Sequence, residues 1–379
     1  MWLKESGNYF FFRKIESPQD AEVVVNGKRL IMIGSNNYLG LTNHPRVKEA
    51  AIKAIEKFGS GCAGSRFLNG NLEIHEALEE KLARFFRKEA ALVFATGYQT
   101  NLGTISALLG RNDVAIIDKY DHASIIDGCR LSFGQVKKFR HNDMKDLERI
   151  LEGIKGKGKL IIVDGIFSME GDIADLLSIV KLGKAYGAGV MVDDAHAVGV
   201  LGEGGRGTAE HFALEDQVDL IMGTYSKSLA AIGGFVAGSK EVINFIKHMG
   251  RSMIFSASLP PSLVASVSTA LDIIEEEPQL RTQLWKNTRK MLHGYKALGY
   301  DTGTSETPII PIIIKDSMKV YGMCKLLFEN GVFVNPVVNP AVPPGRELLR
   351  TSYMATHTEE QLDKVLSAFE KVGKQMGLI

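Results

Sequence analysis

The chain has 379 residues, 45% hydrophobic and 23% charged, which is ordinary globular usage and excludes long disorder. Lys+Arg 45 against Asp+Glu 44 leave a net charge of +1, so the charge balance gives no case for nucleic acid. Three scattered cysteines (Cys62, Cys129, Cys324) without a CxxC pair support neither a disulfide framework nor a zinc site, and no apolar run approaches the roughly 20 residues of a transmembrane helix.

The opening MWLKESGNYFFFRK lacks the uncharged core and cleavage site of a signal peptide, so a reduced, cytoplasmic protein is expected. Its aromatic run Tyr9–Phe12 suits packing more than peripheral membrane contact, which stays open. AEVVV and KRLIMI flank Asn26-Gly27 and predict a β-hairpin over 22–33. Helical periodicity follows in HPRVKEAAIKAIEKF and EIHEALEEKLARFF. From residue 90 short apolar runs (AALVFAT, DVAIID, KLIIVDG, AGVMVDD, VDLIMGT, GGFVAGS) alternate with helical stretches such as MKDLERILEGI and IADLLSIVKLGKAYG. That alternation predicts an α/β fold with a mostly parallel sheet covered by helices, whose ligands sit at the carboxyl ends of the strands. Long helices then run through PSLVASVSTALDIIEEE and QLRTQLWKNTRKMLHGYKAL, followed by strand IIPIIIK, helix MKVYGMCKLLFENG and a last helix over TEEQLDKVLSAFEKVGKQM. The expected division is an N-terminal segment with the hairpin (1–50), a large domain (51–255), and connecting helices with a small α+β C-terminal domain (256–379).

The strand ends carry the chemistry. Gly202–Gly207 formally matches GxGxxG, but a dozen residues separate the strand from the next helix, so it reads as a glycine-rich loop and not a dinucleotide turn. Asp193 and His196 close strand AGVMVDD; a carboxylate there needs a cationic partner unless it merely caps a turn. By strand alternation Asp194 should point the other way. Lys227 follows strand VDLIMG among Thr224, Ser226 and Ser228. A desolvated lysine there is a Schiff-base former, against the plainer reading of a surface turn. Gly97 and Tyr98 open a helix after strand AALVF, where backbone N–H groups suit phosphate. His122 ends strand DVAIID, where a ring can stack on a flat heterocycle or simply be a core histidine. Together these supply what pyridoxal 5′-phosphate requires: a lysine, an acid for its ring nitrogen, a stacking ring and a phosphate cradle.

With those residues in view, the chain resembles the α-oxoamine synthase group of fold-type I pyridoxal-phosphate enzymes over nearly its whole length. The resemblance rests on SNNYLGLTNHP (35–45), GSGCAGSRFLNGN (59–71), ATGYQTNLG (95–103), DHASIIDG (121–128), FSMEGD (167–172), VDDAHAVGVLGEGGRG (192–207), GTYSKSLAAIGGFVAG (223–238), FSASLPP (255–261) and LLRTSYMATHT (348–358). It implies a large domain with a mostly parallel sheet plus a smaller C-terminal domain, and an enzyme joining an amino acid to an acyl-CoA. Lys227 then carries the cofactor as a Schiff base and Asp193 pairs with its pyridinium nitrogen. His196 and Ser168 bond the ring oxygen and His122 stacks on the ring. Gly97, Tyr98, Thr224 and Ser226 surround the phosphate. Arg350 anchors the substrate carboxylate with help from Asn37, and Ser256 and Ser258 reach the partner's phosphate across a homodimer interface. Lys227 or a nearby base takes the α-proton, His122 assists attack on the thioester, and decarboxylation follows. No metal is expected.

GTYSKSLAAIGGF, GCAGSRFLNGNLEIH and FVNPVVNPAVPPGRELLR are most similar to the bacterial serine palmitoyltransferase branch. That branch implies condensation of L-serine with palmitoyl-CoA to 3-ketosphinganine, the first step of sphingolipid synthesis. The alternatives are the 8-amino-7-oxononanoate synthase branch (alanine and a pimeloyl thioester), the 2-amino-3-ketobutyrate ligase branch (glycine and acetyl-CoA), and a regulatory pseudo-subunit, which would not need Lys227. Two departures stand out: Val338–Pro343 lacks an arginine found in some members, and Glu170 replaces a frequent aspartate.

Overall fold

The computed structural model describes residues 9–379, so the first eight residues of the aromatic opening lie outside the described residues. Its strands are β1 (Glu22–Val25), β2 (Lys28–Met32), β3 (Ala90–Phe94), β4 (Asp113–Asp118), β5 (Gln135–Phe139), β6 (Gly158–Asp164), β7 (Gly189–Asp193), β8 (Leu220–Thr224), β9 (Gly234–Gly238), β10 (Ile309–Ile313), β11 (Val332–Phe333), β12 (Asn335–Val337) and β13 (Leu348–Ser352). The chain forms two compact units. One holds His44–Phe167 and Ile173–Glu277; the other joins the described residues up to Asn43 to Ser168–Asp172 and Pro278–Ile379.

The first unit is built on a seven-stranded sheet of order β3-β9-β8-β7-β6-β4-β5. Neighbours β8-β7-β6-β4-β5 are parallel, and β9 runs antiparallel to both β3 and β8. The interiors of β4, β6 and β7 are buried, as unbroken apolar runs in a sheet covered on both faces must be. Only β5 escapes the apolar pattern: as the outer strand it exposes Gln135–Lys138 and buries Phe139 alone. Helix starts follow capping chemistry, with Thr96, Asp143 and Asp175 each accepting an N–H from the first turn. The helix Pro261–Glu276 packs on Pro45–Phe58 within this unit, so the division falls at 43/44 and 277/278.

In the second unit, β1 and β2 form the expected hairpin, with Asn26 and Gly27 both at positive φ (51° and 71°) in the turn. β11 adds in parallel to β2, and β13 lies between β10 and β12 in a second antiparallel sheet. The helices Gln279–Ala297, Ser317–Glu329 and Glu359–Gln375 bury Met291, Tyr295, Met323, Leu327, Val365 and Phe369 in one core. Phe10 packs against that core, Phe11 meets Tyr321 edge-on and Arg13 lies over the rings of Phe10 and Phe328, leaving Phe12 alone exposed in that run. Among the described residues no helix is long and apolar enough to cross a membrane.

Candidate active site

Ten of the residues singled out in the sequence belong to the first unit: Gly97, Tyr98, His122, Asp193, His196, Thr224, Ser226, Lys227, Ser256 and Ser258. Asp193 is the last residue of β7 and is buried. Its Oδ2 accepts from Asn101 Nδ2 at 2.7 Å and its Oδ1 from Ala195 N–H at 3.0 Å. Asp194 faces elsewhere: Thr208 donates its hydroxyl (2.6 Å) and its N–H (3.0 Å) to it, and burial pushes its carboxyl up to about 7. The glycine-rich stretch serves this contact. A Cβ on Gly207 would come within 2.2 Å of Asp194 Oδ2, so only glycine lets the loop close there. His196 is buried three residues beyond Asp193.

β8 and β9 join through a tight loop carrying Lys227. Thr224 Oγ1 donates to Gly233 O and lies 3.0 Å from Ser226 Oγ. Tyr225 N–H donates to Gly233 O, Ala231 N–H to Tyr225 O and Ala230 N–H to Lys227 O, with Ala230 at φ 59°. The wholly buried Tyr225 stacks on Phe235. Ser228 is also buried, and its hydroxyl has no hydrogen-bond partner. The helix Gly97–Leu108 starts against this loop: a Cβ on Gly97 would lie 2.5 Å from Thr224 Oγ1 and 2.7 Å from Thr224 Cβ. The helix start and the two hydroxyls therefore form one cradle, and glycine is what permits the approach.

His122 is exposed on one side but crowded enough that burial, helped by the Lys227 charge and opposed by Asp193, holds its imidazole below the ordinary histidine range. Tyr98 meets it edge-on, ring centroids 6.3 Å apart, while the Tyr98 hydroxyl turns to Asp127. Tyr98 thus contributes its ring and backbone position to this corner, its hydroxyl being engaged. Gln99 Nε2 donates to Ser256 Oγ at 3.1 Å; Ser258 Oγ is buried without a partner, and its N–H donates to Gly64 O.

Three residues here were not singled out from sequence. Asn101 and Ser124 lie inside the quoted segments ATGYQTNLG and DHASIIDG, but uncharged side chains carry no signal on their own. Asp164 ends β6 in register with Asp193, and its Oδ2 accepts the backbone N–H of His122 at 2.8 Å. Burial, and next the neighbouring Asp193 charge, push its carboxyl well above the usual range.

Asn37, Ser168 and Arg350 belong to the second unit. Arg350, central in β13 and 6% exposed, donates from Nε to Ser168 O at 2.7 Å. It meets no carboxylate among the described residues, and a buried guanidinium without a counter-charge is chemically suited to an anion. Buried Tyr38 hydrogen-bonds to Arg350; burial still pushes its phenol up to about 12. Both ends of the Asn37 amide are engaged with Thr42, so it braces its own turn. Glu170, in the place of the frequent aspartate, reaches Arg346 at 3.6 Å.

The cradle, the strand-end lysine and the hydrogen-bonded strand-end carboxylate in the first unit fit a phosphorylated pyridine aldehyde. A profile of the aminotransferase class I and II family matches residues 28–369. The chain is 54% identical to serine palmitoyltransferase of Sphingobacterium spiritivorum, over 98% of this chain and 94% of that one. It is 50% identical to 8-amino-7-oxononanoate synthase of Thermoanaerobacter pseudethanolicus, over 100% and 96%. A high-resolution structure of SPT with PLP internal aldimine superposes with a TM-score of 0.97 at 39% identity, covering 100% of this chain and 96% of that one. This chain belongs to the aminotransferase class I and II family, within its α-oxoamine synthase group.

Proposed function

We propose that this chain is a pyridoxal-phosphate-dependent acyltransferase that condenses L-serine with palmitoyl-CoA to 3-ketosphinganine, feeding sphingolipid synthesis, and that it works as a cytoplasmic homodimer. The observation that carries the reading is the segment Gly223–Ser228, a lysine between two serines at the mouth of a phosphate cradle, in a chain 54% identical to a serine palmitoyltransferase. When bound, the cofactor supplies an electron sink for negative charge at the amino acid Cα.

Lys227 contributes the amine that holds the cofactor and the base for the α-proton. Asp193, held by Asn101 and Ala195, keeps a proton on the ring nitrogen. The start of the helix at Gly97 and Tyr98, with the Thr224 and Ser226 hydroxyls, holds the phosphate. His196 and Ser168 bond the ring oxygen, and His122 covers the ring face. Arg350, its Nε already on Ser168 O, offers its terminal nitrogens to the substrate carboxylate, and Asn37, in a turn braced through Thr42, assists it. Ser256 and Ser258 serve the partner's phosphate. Exposed Phe67, Leu68 and Phe255, on two loops joined by the Ser258–Gly64 hydrogen bond, support a second copy as partner.

The second reading, an 8-amino-7-oxononanoate synthase using alanine and a pimeloyl thioester, is favoured by the relatives of that name at 50% identity. A screen of amino acids against acyl-CoAs, read by product mass spectrometry, decides between them. A long-chain amino ketone formed from serine supports the proposal. Product from alanine and the pimeloyl thioester alone overturns it.

A further inference from the structure

His122 is joined to Asp193 by an unbroken line of hydrogen bonds. As the N-cap of the helix Ala123–Leu131, its Nδ1 accepts the Ser124 N–H at 3.2 Å and lies 2.7 Å from Ser124 Oγ. Ser124 Oγ is 2.8 Å from Asn101 Nδ2, and the same Nδ2 is 2.7 Å from Asp193 Oδ2. Asn101 and Ser124 are 0% and 2% exposed, so water does not compete along the line.

The hydrogens have one consistent arrangement. A carboxylate only accepts, so Asn101 must turn its NH2 toward Asp193 and gives its second hydrogen to Ser124 Oγ. Ser124, having accepted, donates its own hydrogen to His122 Nδ1. An Nδ1 that receives both a hydroxyl and a backbone donor carries no hydrogen, so the neutral ring bears its hydrogen on Nε2. The other groups acting on the ring agree with a neutral imidazole: Lys227 and burial disfavour its protonation, Asp193 alone favours it, and Asp164 engages only the backbone N–H.

We propose that Asn101 and Ser124 are positioning residues that lock His122 in its Nε2–H tautomer and tie its orientation to Asp193, so that His122 meets the bound substrate as a hydrogen-bond donor and not as a base. This rests on the reading above that His122 covers the cofactor ring. It also explains why the proton-abstracting role falls to Lys227: an Nε2 that already holds a hydrogen cannot accept one.

The test is long-range 1H–15N correlation spectroscopy on 15N-histidine-labelled holoenzyme and cofactor-free protein, with the His122 signals assigned by their loss in His122→Gln. The native ring should show a bare Nδ1 and a protonated Nε2 at neutral pH. Asn101→Asp places a second acceptor before Ser124, turns its hydroxyl away from His122, and should raise the Nδ1–H population. Ser124→Ala, the milder change if Asn101→Asp does not fold, should do the same and lower kcat about tenfold, the scale of one neutral hydrogen bond, at unchanged serine KM. Ser124→Thr should restore both. A native ring with hydrogen on Nδ1, or a tautomer indifferent to both substitutions, overturns the proposal. The tautomer is read without any substrate, so a failure of serine as substrate would strike the functional reading and leave this result intact.

Discussion

Asp193→Asn is nearly isosteric, yet the structure makes it disruptive in two separable ways. Both carboxylate oxygens accept, from Asn101 Nδ2 at 2.7 Å and from Ala195 N–H at 3.0 Å. An amide has one oxygen, so one N–H faces another N–H unless Asn101 also turns its amide to present its unpartnered Oδ1. A buried donor left without an acceptor costs about 1–3 kcal/mol. Relief of repulsion with Asp164, its register partner on β6, returns part of this and places the net loss toward the low end. The second effect is on rate. With Asp193 facing the ring nitrogen as proposed, removing its fixed charge withdraws one preorganised electrostatic group, about 3–4 kcal/mol or roughly 10²–10³ in kcat. Asp194→Asn is the matched control, since both of its oxygens also accept, from Thr208. Thermal melts should show a modest loss for both variants. Cofactor absorbance should persist in both, and kcat should collapse only for Asp193→Asn. If Asp194→Asn is the crippling change and Asp193→Asn is mild, the assignment of the ring partner is refuted.

Arg350→Ala should raise the serine dissociation constant about 30- to several-thousand-fold, the cost of roughly 2–5 kcal/mol for losing a desolvated charge pair. Arg350→Lys should not restore it, because an ammonium lacks the two-pronged geometry; the readout is cofactor absorbance during serine titration, and near-native binding would refute it. Gly97→Ala puts a methyl 2.5 Å from Thr224 Oγ1 and should weaken cofactor binding measured by dialysis; unchanged affinity would remove the cradle from the argument. Burial raises Asp194 to about 7 from an ordinary 3.8, so the folded state holds a proton that the unfolded state releases. Its contribution to stability is full below about pH 4 and is lost as pH rises through about 7. Asp194→Asn binds no proton there, so the melting temperature of the native protein relative to this variant should fall between about pH 4 and 7 and level off above, and a flat difference would contradict the assignment.

What the sequence disclosed follows the physics of each signal. The hairpin was legible because Asn26-Gly27 takes the two positive φ values that such a turn demands. The buried strands β4, β6 and β7 were legible as unbroken apolar runs. β5 was not, because an outer strand reading Gln-Val-Lys-Lys-Phe has one buried residue and no pattern. Residues 168–172, which leave the large unit and return, were likewise invisible, since no local propensity records which body a short loop joins. At the candidate site, Lys227, Asp193 and His122 were legible as ionisable groups at or just beyond strand ends, which is where the structure places them. Asn101 and Ser124 did not, because their importance lies in where two amide hydrogens and one hydroxyl point, which only the folded backbone decides. The register also puts Asp164 beside Asp193, a pairing between strands separated by a helix in sequence.

The loop between β8 and β9 has a consequence for turnover. Lys227 sits in a closed antiparallel return whose ends are fixed by Thr224 opposite Gly234, and whose interior is cross-tied by Tyr225, Ala230, Ala231 and Gly233. Ala230 is held left-handed there, a conformation that costs an alanine roughly 1–2 kcal/mol, which the surrounding contacts must offset. The lysine main chain is therefore tied into the loop by the loop's own hydrogen bonds. Any travel of the Lys227 amine would then be confined to the torsions of one side chain, a rotameric freedom worth about 2 kcal/mol. If Lys227 holds the cofactor as proposed, its amine would leave and return by side-chain swing about this tied backbone, with no opening of the loop required.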